Sequence, residues 1–462
     1  VDVAILGAGT AGLAAYKAAA ETAERVVLIE CGPQGTTCAR VGCIPSKLLI
    51  AAAEVAHTVR GASRFGIDSA VRVDGRAVMA RIHEERDRFV EGVLRRVARI
   101  PAEHRILGQG RFSAPGMIEV NGQTIEARAV VIATGSSPFV PPMFASIADR
   151  IVVNDDVFEW TTLPESVAVF GSGAMGLELG QALHRLGVRV RVFGHDGRVG
   201  PLRDPIVRAA ALQALRAEMP FDADAKIHEI RREGAGVAVE FEERPGHPTL
   251  ERFAFALVTT GRRPNLAALA LENAGVPLGR EGVPLFERTT LPCGSAPVFI
   301  AGDATDDVPV LHEAVDEGRI AGKNAALYPN VESVHRRSRL QITFCDPQIA
   351  IVGERFEELS RRGDLAIGEV NFDEQGRCRI LGRNRGIGRL YADANSGRFL
   401  GAEIAGPSAE HLGHLLAWAH QQTLTIDQML ALPIYHPVVE EGLHTALSDA
   451  RAKIGGVTFG PR

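Results

Sequence analysis

The chain has little with which to meet a membrane or a nucleic acid. No apolar run reaches the roughly 20 residues that a bilayer-spanning helix needs, and no charged segment with an apolar core precedes the first strand as a secretory signal would. The formal net charge is -5 and the pI is near 6.3, so no basic excess is present to release counterions from phosphates or acidic lipids. The expected compartment is the cytoplasm. Numbering starts at Val1, directly before the first strand, which leaves a removed leader and an organellar origin open. Cysteine is scarce as well: Cys31, Cys38, Cys43, Cys293, Cys345 and Cys378 are the six in 462 residues. A chain of this size without a secretion signal does not need disulfide staples, so a catalytic pair with spectator thiols is the expected use.

What the chain does have is length and small apolar residues. At 462 residues it exceeds one hydrophobic core, so two to four domains are expected. Hydrophobic residues at 46% and 49 glycines, set among many alanines and valines, fit an α/β nucleotide-binding architecture. The apolar strand Val3 to Leu6 runs into Gly7-Ala8-Gly9-Thr10-Ala11-Gly12, an alanine-rich helix to about Ala23, and a second strand from Val26 to Glu30. The arrangement recurs downstream: Val167 to Phe170, Gly171-Ser172-Gly173-Ala174-Met175-Gly176, a helix to Leu186, and a strand from Val188 to Phe193. One βαβ motif used twice implies two nucleotide sites.

In this motif the first glycine permits the tight turn, the second lets backbone N–H groups approach a pyrophosphate, and the third lets helix pack on strand. The first copy, Gly7, Gly9 and Gly12, is followed after eighteen residues by Glu30, a carboxylate placed to accept from ribose hydroxyls. The second copy, Gly171, Gly173 and Gly176, lacks that acid: Gly194 stands there, followed by His195, with Arg198 nearby. An acid at this place favours NAD and an arginine cluster favours NADP. Gly176 leans toward NAD while His195 and Arg198 lean toward NADP, and NAD is the expected partner with NADP left open.

Between the two copies a helical stretch from Ser46 to Ile100 is broken near residues 61–75, and strands follow with turns at Pro115-Gly116 and Asn121-Gly122. The segment ends at Val130-Val131-Ile132-Ala133-Thr134-Gly135, the second βαβ unit ends near Thr259-Thr260-Gly261-Arg262-Arg263-Pro264, and the chain returns at Val298 to Asp303. Thr134, Gly135 and Gly261 count among the candidate cofactor contacts. Helices from His411 onward suggest a C-terminal α+β domain.

The most specific segment is Gly35-Thr36-Thr37-Cys38-Ala39-Arg40-Val41-Gly42-Cys43-Ile44-Pro45-Ser46-Lys47. Two thiols separated by four residues can close a small ring, with Gly42 supplying backbone freedom. Pro45 suits a first helical turn, so Cys43 is expected just before a helix N-terminus, whose dipole favours a thiolate. Zinc is the alternative use of such a pair, but no second Cys/His pair stands nearby and no metal is expected.

This segment, with the two fingerprints, resembles the pyridine nucleotide-disulfide oxidoreductases, the family of dihydrolipoamide dehydrogenase, glutathione reductase and mercuric reductase; the likeness runs from end to end. It implies FAD at the first fingerprint, Cys43 as the flavin-facing thiolate, Cys38 as the exchange thiol, and Lys47 near the flavin N5, paired with Glu178. It also implies that Asp303 bonds the ribityl chain. Near the end, Tyr435-His436-Pro437-Val438-Val439-Glu440-Glu441 matches the family's acid/base dyad, with His436 oriented by Glu441 and serving the partner subunit of a homodimer. On composition alone one histidine among 14 would more often be a surface or core residue.

The usual segment reads Gly-Gly-Thr-Cys-x-Asn-Val-Gly-Cys, so Thr36 and Arg40 depart from it, and Arg40 is expected to alter thiol electrostatics or access. Tyr435 before the His-Pro leaves a divergent substrate open. The expected domains are an FAD-binding domain at 1–145 and 262–335, an NAD(P)-binding domain at 146–261, and a C-terminal α+β dimerisation domain at 336–462. No cysteine follows Cys378, which points away from mercuric reductase and the larger thioredoxin reductases. The expected activity is dihydrolipoamide dehydrogenase, on a free or lipoyl-domain dithiol, with a 2-oxoacid dehydrogenase complex as the candidate partner. The alternatives are an NADPH-dependent, glutathione-reductase-like enzyme and a flavin transhydrogenase or oxidase without disulfide chemistry.

Overall fold

A computed structural model describes residues 1–279 and 281–456. The end of the expected C-terminal domain, residues 457–462, lies outside the described residues. Two units are separable: residues 1–46, 80–139 and 261–336 form the first, and residues 47–79, 140–260 and 337–462 the second.

The first unit is built on a five-stranded parallel sheet in the order Val298–Ile300, Ala129–Ile132, Val3–Leu6, Val26–Glu30, Arg105–Leu107. The first four of these strands, up to Glu30, are continuous buried apolar runs because both faces are covered, while the edge strand Arg105–Leu107 is partly exposed. Helices Thr10–Ala19 and Leu311–Leu327 lie on one face, in a core with Ala11, Ala15, Phe299 and Ile320. Their close approach depends on two glycines: a Cβ on Gly318 or Gly322 would come within 2.2 Å of the Ala11 or Ala15 carbonyl oxygen. The first helix ends at Ala19, short of the expected Ala23, where the chain turns back toward Val26.

The second unit repeats the parallel design in the order Phe221–Asp222, Arg189–Phe193, Ser166–Phe170, Phe255–Val258, Ile151–Val152. It also holds a five-stranded antiparallel sheet in the order Leu340–Thr343, Gln348–Gly353, Phe399–Gly406, Ile387–Asp393, Leu365–Asn371. Helices Ala409–Gln421 and Glu441–Lys453 cover this sheet through Leu412, Leu416, Leu443 and Leu447. The expected helical stretch after Ser46 resolves into Cys43–Arg60 and Gly75–Ala98. No helix among the described residues is long and apolar enough to cross a membrane.

A buried polar cluster ties helix Pro205–Arg216 to the antiparallel sheet. Asp204 is fully buried, caps that helix through the Ile206 amide, and accepts from Arg389 Nη1 at 2.7 Å and Tyr391 Oη at 3.0 Å. Glu403 Oε2 accepts from the backbone N–H groups of Arg203 and Asp204 at 2.8 and 2.9 Å. Burial pushes the Glu403 carboxyl up to about 7. A carboxyl raised in the folded state contributes stability that is complete below its ordinary value near 4.5 and is lost as the pH rises through about 7. The sum at stake is on the order of 3 kcal/mol. Glu403→Gln keeps an acceptor for the two amides and has no proton to lose. Its melting temperature relative to wild type should therefore rise between about pH 4.5 and about pH 7; a pH-independent difference would show that Glu403 does not ionise in this window.

Candidate active site

The first fingerprint turn has the shape that a pyrophosphate needs. Gly7 has φ +105°, and a Cβ there would lie 2.4 Å from the Ala133 carbonyl oxygen. A Cβ on Gly12 would lie 1.8 Å from the Gly7 oxygen, whereas Gly9 faces open space. Glu30 accepts the Ala8 N–H at 2.6 Å on Oε2 and the Gly32 N–H at 2.7 Å on Oε1. Those two bonds fix the plane of the carboxylate at the end of its strand and leave lone pairs for ribose hydroxyls. Thr134 Oγ1 is buried with no hydrogen-bond partner, an orphaned group at the C-terminal edge of the sheet. Gly135 at φ +68° and Gly261 at φ +123° also face open space.

Asp303 is held by a relay that the sequence did not show. Arg262 Nε donates to Ser136 Oγ at 2.8 Å, and Ser136 Oγ donates to Asp303 Oδ2 at 2.8 Å. The antiparallel pairing of Ser136–Pro138 with Arg262–Pro264 brings these residues together. Behind Asp303, the Gly302 N–H donates to buried Glu317 at 2.8 Å.

In the cysteine segment, helix Thr37–Val41 carries Cys38, and Cys43 is the first residue of helix Cys43–Arg60 rather than the residue before it. Cys38 is half-buried and Cys43 exposed. Gly42 has φ -121° and ψ -116°, neither helical nor extended, and a Cβ there would lie 3.1 Å from Cys38 Cα. Thr36, where the family has glycine, sits at φ 62° and ψ 145°, a conformation that costs a β-branched residue about 1–3 kcal/mol. Its hydroxyl offsets part of that by accepting the Ala39 N–H at 3.3 Å and capping the short helix. Arg40 Nη1 donates to the Pro33 carbonyl at 3.1 Å, anchoring the loop that enters this helix.

Lys47 Nζ meets Glu178 Oε2 at 2.7 Å. Glu178 is buried, and its other oxygen accepts the Phe344 N–H at 2.9 Å, while the Lys47 ammonium lies 4.7 Å from the Phe344 ring centre. His436 Nδ1 meets Glu441 Oε1 at 2.8 Å, and Glu441 Oε2 accepts the Val438 N–H at 3.1 Å. The His436 bond, followed by the Val438 amide, holds the Glu441 carboxyl below its usual range. Glu441 is also the first residue of its helix, where the dipole favours an anion. Neighbouring Glu440 does not make this contact. The imidazole is 80% exposed and Tyr435 is 81% exposed, so both project away from the rest of the chain. Burial pushes the Cys293 thiol up to about 12 and the Cys378 thiol up to about 11, and Cys345 rises for the same reason, so all three are inert thiols.

The second fingerprint repeats the first. A Cβ on Gly171 would lie 2.5 Å from the Thr259 oxygen, one on Gly176 would lie 1.9 Å from the Gly171 oxygen, and Gly173 is open. His195 and Arg198 are both exposed in the turn after Arg189–Phe193, as are Asp196 and, from the neighbouring strand's end, Asp224. The two aspartates went unread in the sequence, although Asp196 directly follows His195.

Two parallel-sheet dinucleotide folds, each with an open glycine turn, and a closely spaced cysteine pair beside a helix start define a flavin- and nicotinamide-dependent disulfide enzyme. The family model described as Pyridine nucleotide-disulphide oxidoreductase matches residues 1–318, and the one described as its dimerisation domain matches residues 340–447. The chain is 30% identical over 460 residues to the dihydrolipoyl dehydrogenase of Thermus scotoductus, covering 96% of each protein. It is 28% identical over 451 residues to the mercuric reductase of Staphylococcus aureus, covering 96% of this chain and 81% of that one. LpdA from Mycobacterium tuberculosis has the same fold with a TM-score of 0.83 at 25% identity, covering 97% of this chain and 99% of that one. The HOCl-induced flavoprotein disulfide reductase RclA from Escherichia coli shares the fold with a TM-score of 0.82 at 21% identity, covering 97% of this chain and 99% of that one. The chain belongs to the pyridine nucleotide-disulphide oxidoreductase family. It is a flavoprotein disulfide oxidoreductase of a family that binds FAD and NAD(P).

Proposed function

We propose that the enzyme oxidises a dihydrolipoyl-type dithiol and passes the electron pair through Cys38 and Cys43 to FAD and then to NAD. The observation that carries this reading is the His436–Glu441 contact. It leaves Nε2 of an exposed imidazole as the proton acceptor and Glu441 as its orienting anion. The resemblance gives this dyad to dihydrolipoamide dehydrogenase and glutathione reductase, and the relative in Thermus scotoductus carries the first of those names. In this reading residues 1–145 and 262–335 bind FAD, residues 146–261 bind the nicotinamide nucleotide, and residues 336–462 join two subunits. Homodimerisation brings His436 of one subunit to the cysteines of the other, which accounts for an imidazole that its own chain leaves bare. A lipoyl domain of a 2-oxoacid dehydrogenase complex would present the dithiol.

A substrate thiol gives its proton to His436, and the thiolate attacks Cys38 of the Cys38–Cys43 disulfide. A substrate–Cys38 bond forms as the Cys38–Cys43 bond breaks, and Cys43 leaves as a thiolate at the start of its helix, where the dipole favours negative charge. The second substrate thiol then displaces Cys38 and closes the product disulfide. When bound, FAD would supply the acceptor for the electron pair of the Cys38/Cys43 dithiol, whose disulfide re-forms, and the donor of hydride to the nicotinamide. Gly7, Gly9, Gly12 and Glu30 would hold the adenine half of FAD, Thr134 and Asp303 its middle, and Lys47, fixed by Glu178, its ring; Gly171, Gly173 and Gly176 would hold the nicotinamide nucleotide. Steady-state rates with lipoamide and glutathione disulfide, each against NADH and NADPH, test the assignment. Lipoamide with NADH should be fastest, and a preference for glutathione disulfide with NADPH would overturn it.

A further inference from the structure

The second dinucleotide site lacks the residue that usually discriminates between NAD and NADP. In a doubly wound sheet the adenosine ribose lies beyond the C-terminal end of the second strand, where a carboxylate accepts from the 2'-hydroxyl. Here that place is Gly194, and no side chain fits it. A Cβ would lie 2.7 Å from both the Ala223 carbonyl oxygen and Ser172 Oγ, while the Gly194 N–H is bonded to the Asp222 carbonyl at 2.6 Å. The chain therefore cannot carry its acid at the usual position.

Two carboxylates stand immediately beyond it. Asp196 has φ +56°, and its backbone N–H donates to Asp224 Oδ1 at 3.1 Å, which joins the turn after one parallel strand to the end of the next. His195 Nε2 lies 3.2 Å from Asp196 Oδ1, and ligand-type atoms of His195, Asp196 and Asp224 all fall within 4.8 Å of one another. The third nearby acid, Asp222, is already engaged by Arg191 at 2.9 Å. All three members of the cluster are exposed, at the same end of the sheet as the open Gly173 turn.

We propose that Asp196 and Asp224 are the residues that select NAD over NADP. Their oxygens accept from the ribose hydroxyls of NAD, and their two negative charges oppose a 2'-phosphate, which carries nearly two more. His195 and Arg198, the groups that would welcome a phosphate, sit on the same turn. His195 lies against Asp196, 3.2 Å from Nε2 to Oδ1, so its ring is turned to a carboxylate rather than left open to a phosphate. This inference rests on the nicotinamide nucleotide occupying the second fingerprint, and not on which disulfide is the substrate.

Calorimetric titration of the oxidised FAD holoenzyme with NAD, NADP and 2',5'-ADP tests it, with no disulfide in the cell. Asp196→Asn, Asp224→Asn and the double variant are suitable probes. Asparagine tolerates the positive φ at 196 and keeps an acceptor for the Asp196 N–H at 224, so the turn survives. Wild type should bind NAD more tightly than NADP. The double variant should bind NADP and 2',5'-ADP at least about tenfold more tightly than wild type, a gain of about 1.4 kcal/mol. Affinities for the two phosphorylated ligands unchanged in the double variant, or a wild type that prefers NADP, would overturn the proposal. Failure of lipoamide turnover would leave these binding results untouched, so the two readings fail separately.

Discussion

Cys38→Ser should retain bound FAD and full reduction of the flavin by NADH, yet lose disulfide turnover by at least about a thousandfold. The reason lies in the division of labour along the segment. Cys38 sits within the short helix Thr37–Val41, while Cys43 opens the 18-residue helix Cys43–Arg60, so the two sulfurs meet different fields. A thiolate at the start of a long helix is stabilised by the first free N–H groups, and Ser46 Oγ donates to the Cys43 carbonyl at 3.1 Å, closing that first turn. Cys38 is the sulfur that a substrate must reach, and serine there cannot form the mixed disulfide. The remaining Cys43 thiolate should still perturb the flavin, giving a long-wavelength absorption band in Cys38→Ser that Cys43→Ser lacks. Rapid-mixing spectra of the two variants read both effects. Undiminished lipoamide reduction in Cys38→Ser, or the band appearing in Cys43→Ser instead, would reverse or abolish the assignment.

What could be read in advance was whatever the backbone dictates locally. Gly7, Gly12, Gly171 and Gly176 are required because a Cβ at each would strike a carbonyl oxygen within the same turn or the adjacent strand end, and a strand-turn-helix pattern announces such places. The same holds for Pro45 near a helix start. Contacts set by pairing between distant strands left no local trace. Ser136 and Arg262 are 126 residues apart and meet because Ser136–Pro138 pairs with Arg262–Pro264. Asp196 and Asp224 meet because Arg189–Phe193 runs parallel to Phe221–Asp222. Gly42 was read for its backbone freedom, and the structure adds a second use that the sequence did not show, the close passage of Cys38. Thr36 shows the converse. The sequence showed only that it departs from glycine; the structure gives it a strained backbone and a capping hydroxyl two residues from Cys38, so the substitution exchanges conformational freedom for a fixed helix start.

His436→Gln should lower kcat/KM for the dithiol by about a hundredfold to ten-thousandfold while leaving NADH oxidation by an artificial one-electron acceptor unchanged, since that reaction needs no thiol proton transfer. Glu441→Gln should cost less, because glutamine still accepts from the Val438 N–H and places the imidazole, but it removes the anion that faces Nδ1. Neither result alone tells whether His436 serves its own chain's cysteines or the partner's. Mixing does. If His436→Gln and Cys38→Ser homodimers, each nearly inactive, are unfolded and refolded together in equal amounts, random pairing makes about half of the dimers mixed. In a mixed dimer the intact Cys38 and the intact His436 lie on different chains. A site assembled across the interface is then complete once per mixed dimer, and activity should recover to about a quarter of wild type; a site assembled within one chain is never complete, and activity should stay at the level of the parents. The exposure of His436 and Tyr435, at 80% and 81%, favours the first outcome, because an acid/base group that its own chain leaves in solvent gains a desolvated, oriented setting only when another surface covers it. Recovery in the mixture would make the dimer the catalytic unit, and its absence would return His436 to its own subunit or to a role outside proton transfer.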